Sequence, residues 1–166
     1  MLAQAVVEIV EAEAPLSFDV LVDRMCTACG ITRKSPQIIE RCEYLVKYSK
    51  IHQTAQNLAL NPTPETKKIF LWRFAGEEDG LTEHFRQPAE GDKPRDAQDI
   101  TLQEAARAAV YVAKTQYGMP REDLVKQTAY ALGFKTAGGW ASLLATAGID
   151  YAVHAGELSE TPLKIV

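Results

Sequence analysis

Three thiols are the residues whose type and spacing first invite a chemical reading. Cys26 and Cys29 form a CTAC string at the end of what reads as a helix, and Cys42 follows on the next one. A structural zinc site needs four ligands, usually two such pairs. The nearest later candidates, Cys42 and His52, stand at unpaired spacing. A thioredoxin-type pair wants a strand just before the motif. Three residues apart on a helix, the thiols instead share a face and pack as small hydrophobes; a metal or redox pair is the alternative. An odd number of cysteines argues against a disulfide framework. All three are therefore expected to be reduced, metal-free and buried. His52, His84 and His154 lie apart from one another and outside any ligand string. Gly138-Gly139 lacks the preceding strand and the following Lys-Ser or Lys-Thr of a phosphate-binding loop. With no nuclease carboxylate cluster either, the chain reads as a non-enzyme, with no catalytic residues, no cofactor, no metal and no small-molecule substrate.

Charge is the second chemical signal. The net charge of −4 gives no bulk argument for nucleic acid, but its distribution is uneven. From Arg33 to Arg73 there are eight basic and three acidic residues; from Gly76 to Ile100 there are three basic and eight acidic. Arg33, Lys34, Gln37, Arg41, Lys67 and Lys68 are the candidate nucleic-acid contacts. Cations neutralise phosphates and a glutamine can read a base edge. A solvated helix face is the bland reading of the same residues. Glu40 and Glu43, on the same helix, would repel phosphate.

The elements that must position these residues follow from periodicity. The 166 residues, 46% hydrophobic and 24% charged, suit one ordinary domain or two small ones. No apolar run reaches the roughly 18 to 20 residues of a membrane span, and no export signal precedes the first helix. A cytoplasmic chain without membrane contact is expected. Val6, Ile9 and Val10 mark an amphipathic helix over Leu2 to Ala14, stopped by Pro15. Ser17 caps a second helix to about Cys29. Gly30 follows as its C-terminal glycine, with Ile31 as a buried plug. Ser35-Pro36 opens a third helix to about Ser49, burying Ile38, Ile39, Cys42, Leu45 and Val46. The period then changes. Ile51 to Ala55 is extended, Gln56 to Lys68 is a loop with Asn57, Asn61, Pro62 and Pro64, and Ile69 to Phe74 is a strand. Three helices, then strand, loop and strand, is the order of a winged helix.

Residues 76–100 read as an acidic linker in which Leu81 and Phe85 could form a docking turn. Thr101, with Glu104 three residues on, opens a helix to about Tyr117 as a capping box. Further helices end at Gly133 and start near Gly138 or Gly139. Trp72 and Trp140 are expected as core anchors. The remaining tail, Gly148 to Val166, carries no convincing return strand.

The chain also repeats itself. With Leu21-Val22 placed over Leu124-Val125, Gly30-Ile31 falls on Gly133-Phe134 without a gap. The stripe Val6, Ile9, Val10 falls on Ala109, Val112, Ala113, and the break at Pro15 falls on Gly118. The common unit is helix, break, helix, glycine plus hydrophobe, helix, which is a helix-turn-helix. The expected fold is mostly α, with two helix-turn-helix units, the first a winged helix with a two-stranded β wing. The expected divisions are a winged-helix unit over 1–75, the linker over 76–100, a second, wing-poor unit over 101–160, and a tail over 161–166.

The motifs resemble a known family. Glu13-Ala14-Pro15, Gly30-Ile31-Thr32-Arg33, Ser35-Pro36-Gln37-Ile38 and Phe70-Leu71-Trp72 are similar to the "EGP", "GLKR", "SRI" and "FLW" strings of a C-terminal domain of unknown function on large bacterial superfamily 1 helicases. Those proteins often also carry a restriction-endonuclease-like domain. Gln37 stands where the family tends to place arginine. The resemblance implies a DNA-processing context and supplies no catalytic residues. The expected function is thus a non-catalytic DNA-binding or DNA-positioning accessory domain, with double-stranded DNA and other domains of a larger helicase or nuclease protein as partners. The alternative is a protein–protein interaction module whose units dock other domains or subunits. The neutral second unit and the acidic stretch favour the latter; the basic stretch favours the former.

Overall fold

A computed structural model of the chain describes residues 1–59, 61, 63–91, 93–162 and 164–166; the loop proline Pro62 lies outside the described residues. Among these residues the fold is mostly helical, with six α-helices and one small three-stranded antiparallel sheet. Two compact units divide the chain. The first comprises Met1–Gln56 and Lys67–Glu77, the second Asn57–Thr66 and Glu78–Val166. No helix among the described residues is long and apolar enough to cross a membrane.

The first unit runs α1 (Leu2–Glu13), β1 (Leu16–Ser17), α2 (Phe18–Ala28), α3 (Pro36–Tyr48), β2 (His52–Gln56) and β3 (Lys68–Trp72). Its helix boundaries are chemical. Ser17 Oγ accepts from Val20 N–H at 3.3 Å to start α2, and Ser35 Oγ accepts from Ile38 N–H at 3.4 Å to start α3, with Pro36 at its first position. Val6, Val10, Leu21, Val22, Leu45 and Val46 fill the core between the three helices. The sheet has the order β1-β3-β2, with Leu16 opposite Leu71 and Thr54 opposite Phe70. Trp72 is fully buried, and its indole N–H donates to Thr54 Oγ1 at 2.7 Å.

Two expectations change here. Where two strands were expected the sheet has three; β1 is only two residues long and carries no alternation that could announce it. Strand β3 ends at Trp72, before Phe74. There Arg73 turns back on Glu77, its backbone N–H donating to Oε2 at 2.8 Å and its Nε to Oε1 at 2.7 Å, and Phe74 is left exposed.

The second unit is built on α4 (Leu102–Thr115), α5 (Arg121–Ala131) and α6 (Gly139–His154). Helices α4 and α6 cross through small residues. A Cβ built on Gly148 would stand 2.7 Å from Ala105 Cβ and 2.8 Å from its carbonyl carbon, so only glycine permits this approach. The tail returns to the helices: Ile165 is fully buried and bridges Met119.

Residues 78–100 belong to this unit rather than forming a separate linker. Leu81, Phe85, Ala97 and Ile100 pack on its helices. Backbone carbonyls of Glu78 and Thr82 accept from Gln103 Nε2 at 2.9 Å and Arg107 Nε at 2.6 Å. Glu104, 1% exposed, fastens the segment. Thr101 Oγ1 does cap α4, accepting from Glu104 N–H at 3.2 Å. The Glu104 carboxylate, however, does not complete the expected capping box. It accepts instead from Arg95 Nη2 at 2.6 Å and Nη1 at 3.0 Å, and from Arg86 N–H at 2.8 Å. Burial alone would raise its pKa; the Arg95 hydrogen bonds and charge, with Arg86, overcome that and hold it below the usual value.

The repeat is legible residue by residue. Helices α2 and α5 begin and end at equivalent positions in the same register. After α2, Cys29, Gly30 and Ile31 donate their N–H groups to the carbonyls of Met25, Thr27 and Cys26; after α5, the equivalent Leu132, Gly133 and Phe134 donate to Thr128, Tyr130 and Ala129. Gly30 and Gly133 take φ of +66° and +95°, the left-handed turn that lets the chain reverse into the third helix of each unit.

Candidate nucleic-acid interface

The third helix of the first unit positions the central candidates. Its buried residues Cys42, Leu45 and Val46 fix which side faces inward. Gln37, Glu40, Arg41, Tyr44, Lys47 and Tyr48 then fall on the opposite side, and all six are exposed. Arg33 and Lys34 lie exposed on the turn before this helix, and Lys67 lies exposed just before β3.

Contacts tie the candidates into subsets. Lys34 Nζ pairs with Asp23 at 2.6 Å, and Lys68 Nζ pairs with Asp19. The two aspartates are one turn apart on α2, so Lys34 and Lys68 flank the same edge of that helix. Gln37 and Arg41 share the rim of a cleft of about 260 Å3. Arg33, Arg41 and Lys67 form no ion pair among the described residues. Of the candidates, three cations therefore have no carboxylate partner among the described residues and two are held by exposed carboxylates. Such exposed pairs contribute only about 0 to 1 kcal/mol, so phosphate can compete for both lysines.

Two residues absent from the sequence reading join the site. Tyr44 and Tyr48 stack with ring centroids 6.0 Å apart, and the Arg41 guanidinium lies 5.5 Å from the Tyr44 centroid. The string RCEYLVKY carries the signal. The spacing of Arg41, Tyr44 and Tyr48, three and four residues apart, aligns them on one helix face. The stack holds Arg41 in place through a cation–π contact.

The cleft itself is almost wholly apolar. Met25, Cys26, Cys29, Cys42 and Leu45 line it, with Leu2, Ile31 and Ile38. Three expected core residues prove to be surface residues. Ile31, expected as a buried plug, is 39% exposed and lines the cleft. Cys29 is exposed as the C-cap of α2, while Cys26 and Cys42 are buried. Ile39 faces outward because successive helix positions are about 100° apart and Ile38 takes the inward one. In the second unit Trp140 likewise opens α6 at the rim of a groove beside Phe134 and Ala97, and is not a core anchor. Burial, then the neighbouring Cys26 and Cys29, pushes the Cys42 thiol up. Among the described residues no group of three or more His, Cys, Asp or Glu is arranged to hold a metal ion.

The family described as a protein of unknown function (DUF3320) matches residues 1–40, from α1 to the first turn of α3. No curated protein matches the chain, and no solved structure does.

Proposed function

We propose that the first unit is a winged helix and that the chain acts as a non-catalytic DNA-binding or DNA-positioning accessory module of a helicase- or nuclease-type protein. The element order α1-β1-α2-α3-β2-β3 supports the winged-helix reading. One observation carries the functional reading: the exposed side of α3 presents Gln37, Arg41 and Lys47, with Arg33 and Lys34 on the turn before it. A helix of thirteen residues is about 20 Å long, and the major groove admits one such helix. In this geometry Gln37 reads a base edge, Arg41 and Lys47 contact phosphate or base, and Lys67 and Lys68 meet the backbone beside the groove.

The test is fluorescence anisotropy on a duplex with the wild-type chain and with Arg33→Glu combined with Lys34→Glu. The charge-reversed protein is expected to bind at least tenfold more weakly at low salt. Unchanged affinity would rule out this face.

A second reading, a protein-docking module, is favoured by one specific observation. The cleft beside α3 exposes Leu2 and Ile31 to solvent, and an apolar surface rimmed by polar groups is the usual anatomy of a protein interface.

A further inference from the structure

The internal repeat shows what covers the equivalent of this cleft. In the register that places Gly30 on Gly133, the cleft residues Leu2, Cys29, Ile31 and Arg41 correspond to Ala105, Leu132, Phe134 and Leu144. Three of those four are buried and Phe134 is half-buried. Ala105, Leu132 and Leu144 are buried in one cluster with Ala97 and Ile100, against which Phe85 and Phe134 pack. The turn glycines report the same difference independently. A Cβ on Gly133 would lie 2.4 Å from the Pro88 ring, whereas nothing lies within 4 Å of one on Gly30. The second unit thus wears a cover, residues 85–100, which carries four acidic and three basic residues and is anchored by Phe85 and Ile100. The first unit has the same face bare.

We infer that the bare cleft of the first unit docks an acidic segment of a partner protein, whose bulky apolar anchor covers it as Phe85 and Ile100 cover the second unit. Size and charge both support this occupant. At about 260 Å3 the cleft falls below the roughly 300–1,000 Å3 of small-molecule sites and suits one large side chain. Among the described residues no acidic one lines it, and its charged rim group is Arg41, which forms no ion pair among them and is steadied by Tyr44. A carboxylate beside the anchor would meet that guanidinium. This inference rests on the docking reading and does not require DNA binding.

The experiment selects a phage-displayed library of random twelve-residue peptides on the full chain. Enriched peptides are expected to share an aromatic or branched anchor flanked by Asp or Glu. A synthetic representative should slow alkylation of Cys29 by N-ethylmaleimide. It should bind at least tenfold more weakly to Cys29→Trp, which fills the cleft from its exposed rim, and to Arg41→Glu, which leaves the cleft open and reverses its charge. Duplex affinity of Cys29→Trp should equal that of the wild type. Enriched peptides without an acidic bias, or ones that bind both variants undiminished, would overturn the cleft while leaving the docking reading standing. A library that yields nothing would overturn both. A dimer in sedimentation velocity that Cys29→Trp dissolves would put a second copy in the cleft and overturn the peptide.

Discussion

Glu104 buries its carboxylate against Arg95 and Arg86 and so fastens residues 78–100 to α4. Removing one partner of a buried pair leaves an uncompensated charge and costs roughly 3 to 5 kcal/mol. Because Arg86 remains, Arg95→Ala is expected to destabilise the second unit by about 3 kcal/mol, measured by urea unfolding; a loss below about 0.5 kcal/mol would show the pair to be ornamental. The pairing also sets an acid limb. The folded-state pKa of Glu104 lies below its usual value, so its contribution is complete above the unfolded pKa of about 4.3 and is lost as pH falls through the folded one. Wild-type stability should therefore decline below about pH 4 more steeply than that of Arg95→Ala. Parallel pH profiles would contradict this. At the thiols, burial raises Cys42 while Cys29 stands exposed. Since the thiolate is the reactive form, iodoacetamide at neutral pH should label Cys29 in the folded chain well before Cys42, as read by peptide mass spectrometry. Equal rates would mean that the core around Cys42 is open.

At the scale of elements, the close approach of α4 and α6 makes a direct prediction. Gly148→Ala forces a methyl group into Ala105 and its backbone, and overpacking of this kind costs about 1 to 3 kcal/mol. The loss should appear in thermal unfolding; a neutral variant would mean that the two helices separate freely. Such close packing left only part of its trace in the sequence. Helix starts at Ser17, Ser35 and Thr101 were legible because a capping hydroxyl is a local signal, and both Gly30 and Gly133 announced their turns by needing positive φ. Strand β1 was not legible, because two residues carry no period. Of residues 78–100 the sequence showed the docking of Leu81 and Phe85 but not that of Ala97 and Ile100. Leu81, Phe85, Ala97 and Ile100 are spaced irregularly, each anchored on its own, and charge dominates the composition between them. The burial of Glu104 was hidden behind its correct placement in a capping motif. Of the candidate interface, the outward placement of Gln37 and Arg41 followed from helical spacing. The engagement of Lys34 and Lys68 by Asp23 and Asp19 did not, because the Lys68–Asp19 pair joins distant parts of the chain and the Lys34–Asp23 pair depends on the turn at Gly30.

Across the whole molecule the two units have diverged at the same surface. The first keeps its third helix polar on the outside, where Arg41 and Lys47 stand among Glu40 and Glu43, and its cleft bare. The second has Trp140 and Leu144 at the positions of Gln37 and Arg41 and wears a cover anchored by Phe85 and Ile100. A chain of net charge −4 does not attract DNA as a body, so binding must come from a local set of cations, and its salt dependence counts them. The most direct measurement is the affinity of the full chain for a B-form duplex across a series of salt concentrations. Four cations without a carboxylate partner among the described residues, Arg33, Arg41, Lys47 and Lys67, predict a slope of log K against log salt of about −3.6, at about −0.9 per phosphate, steepening toward about −5.4 as Lys34 and Lys68 exchange their aspartates for phosphate. The Lys67→Ala and Lys68→Ala double variant should bring the slope back by about 0.9 to 1.8. A flat salt dependence, or no binding by the wild type at low salt, would contradict the DNA-binding account.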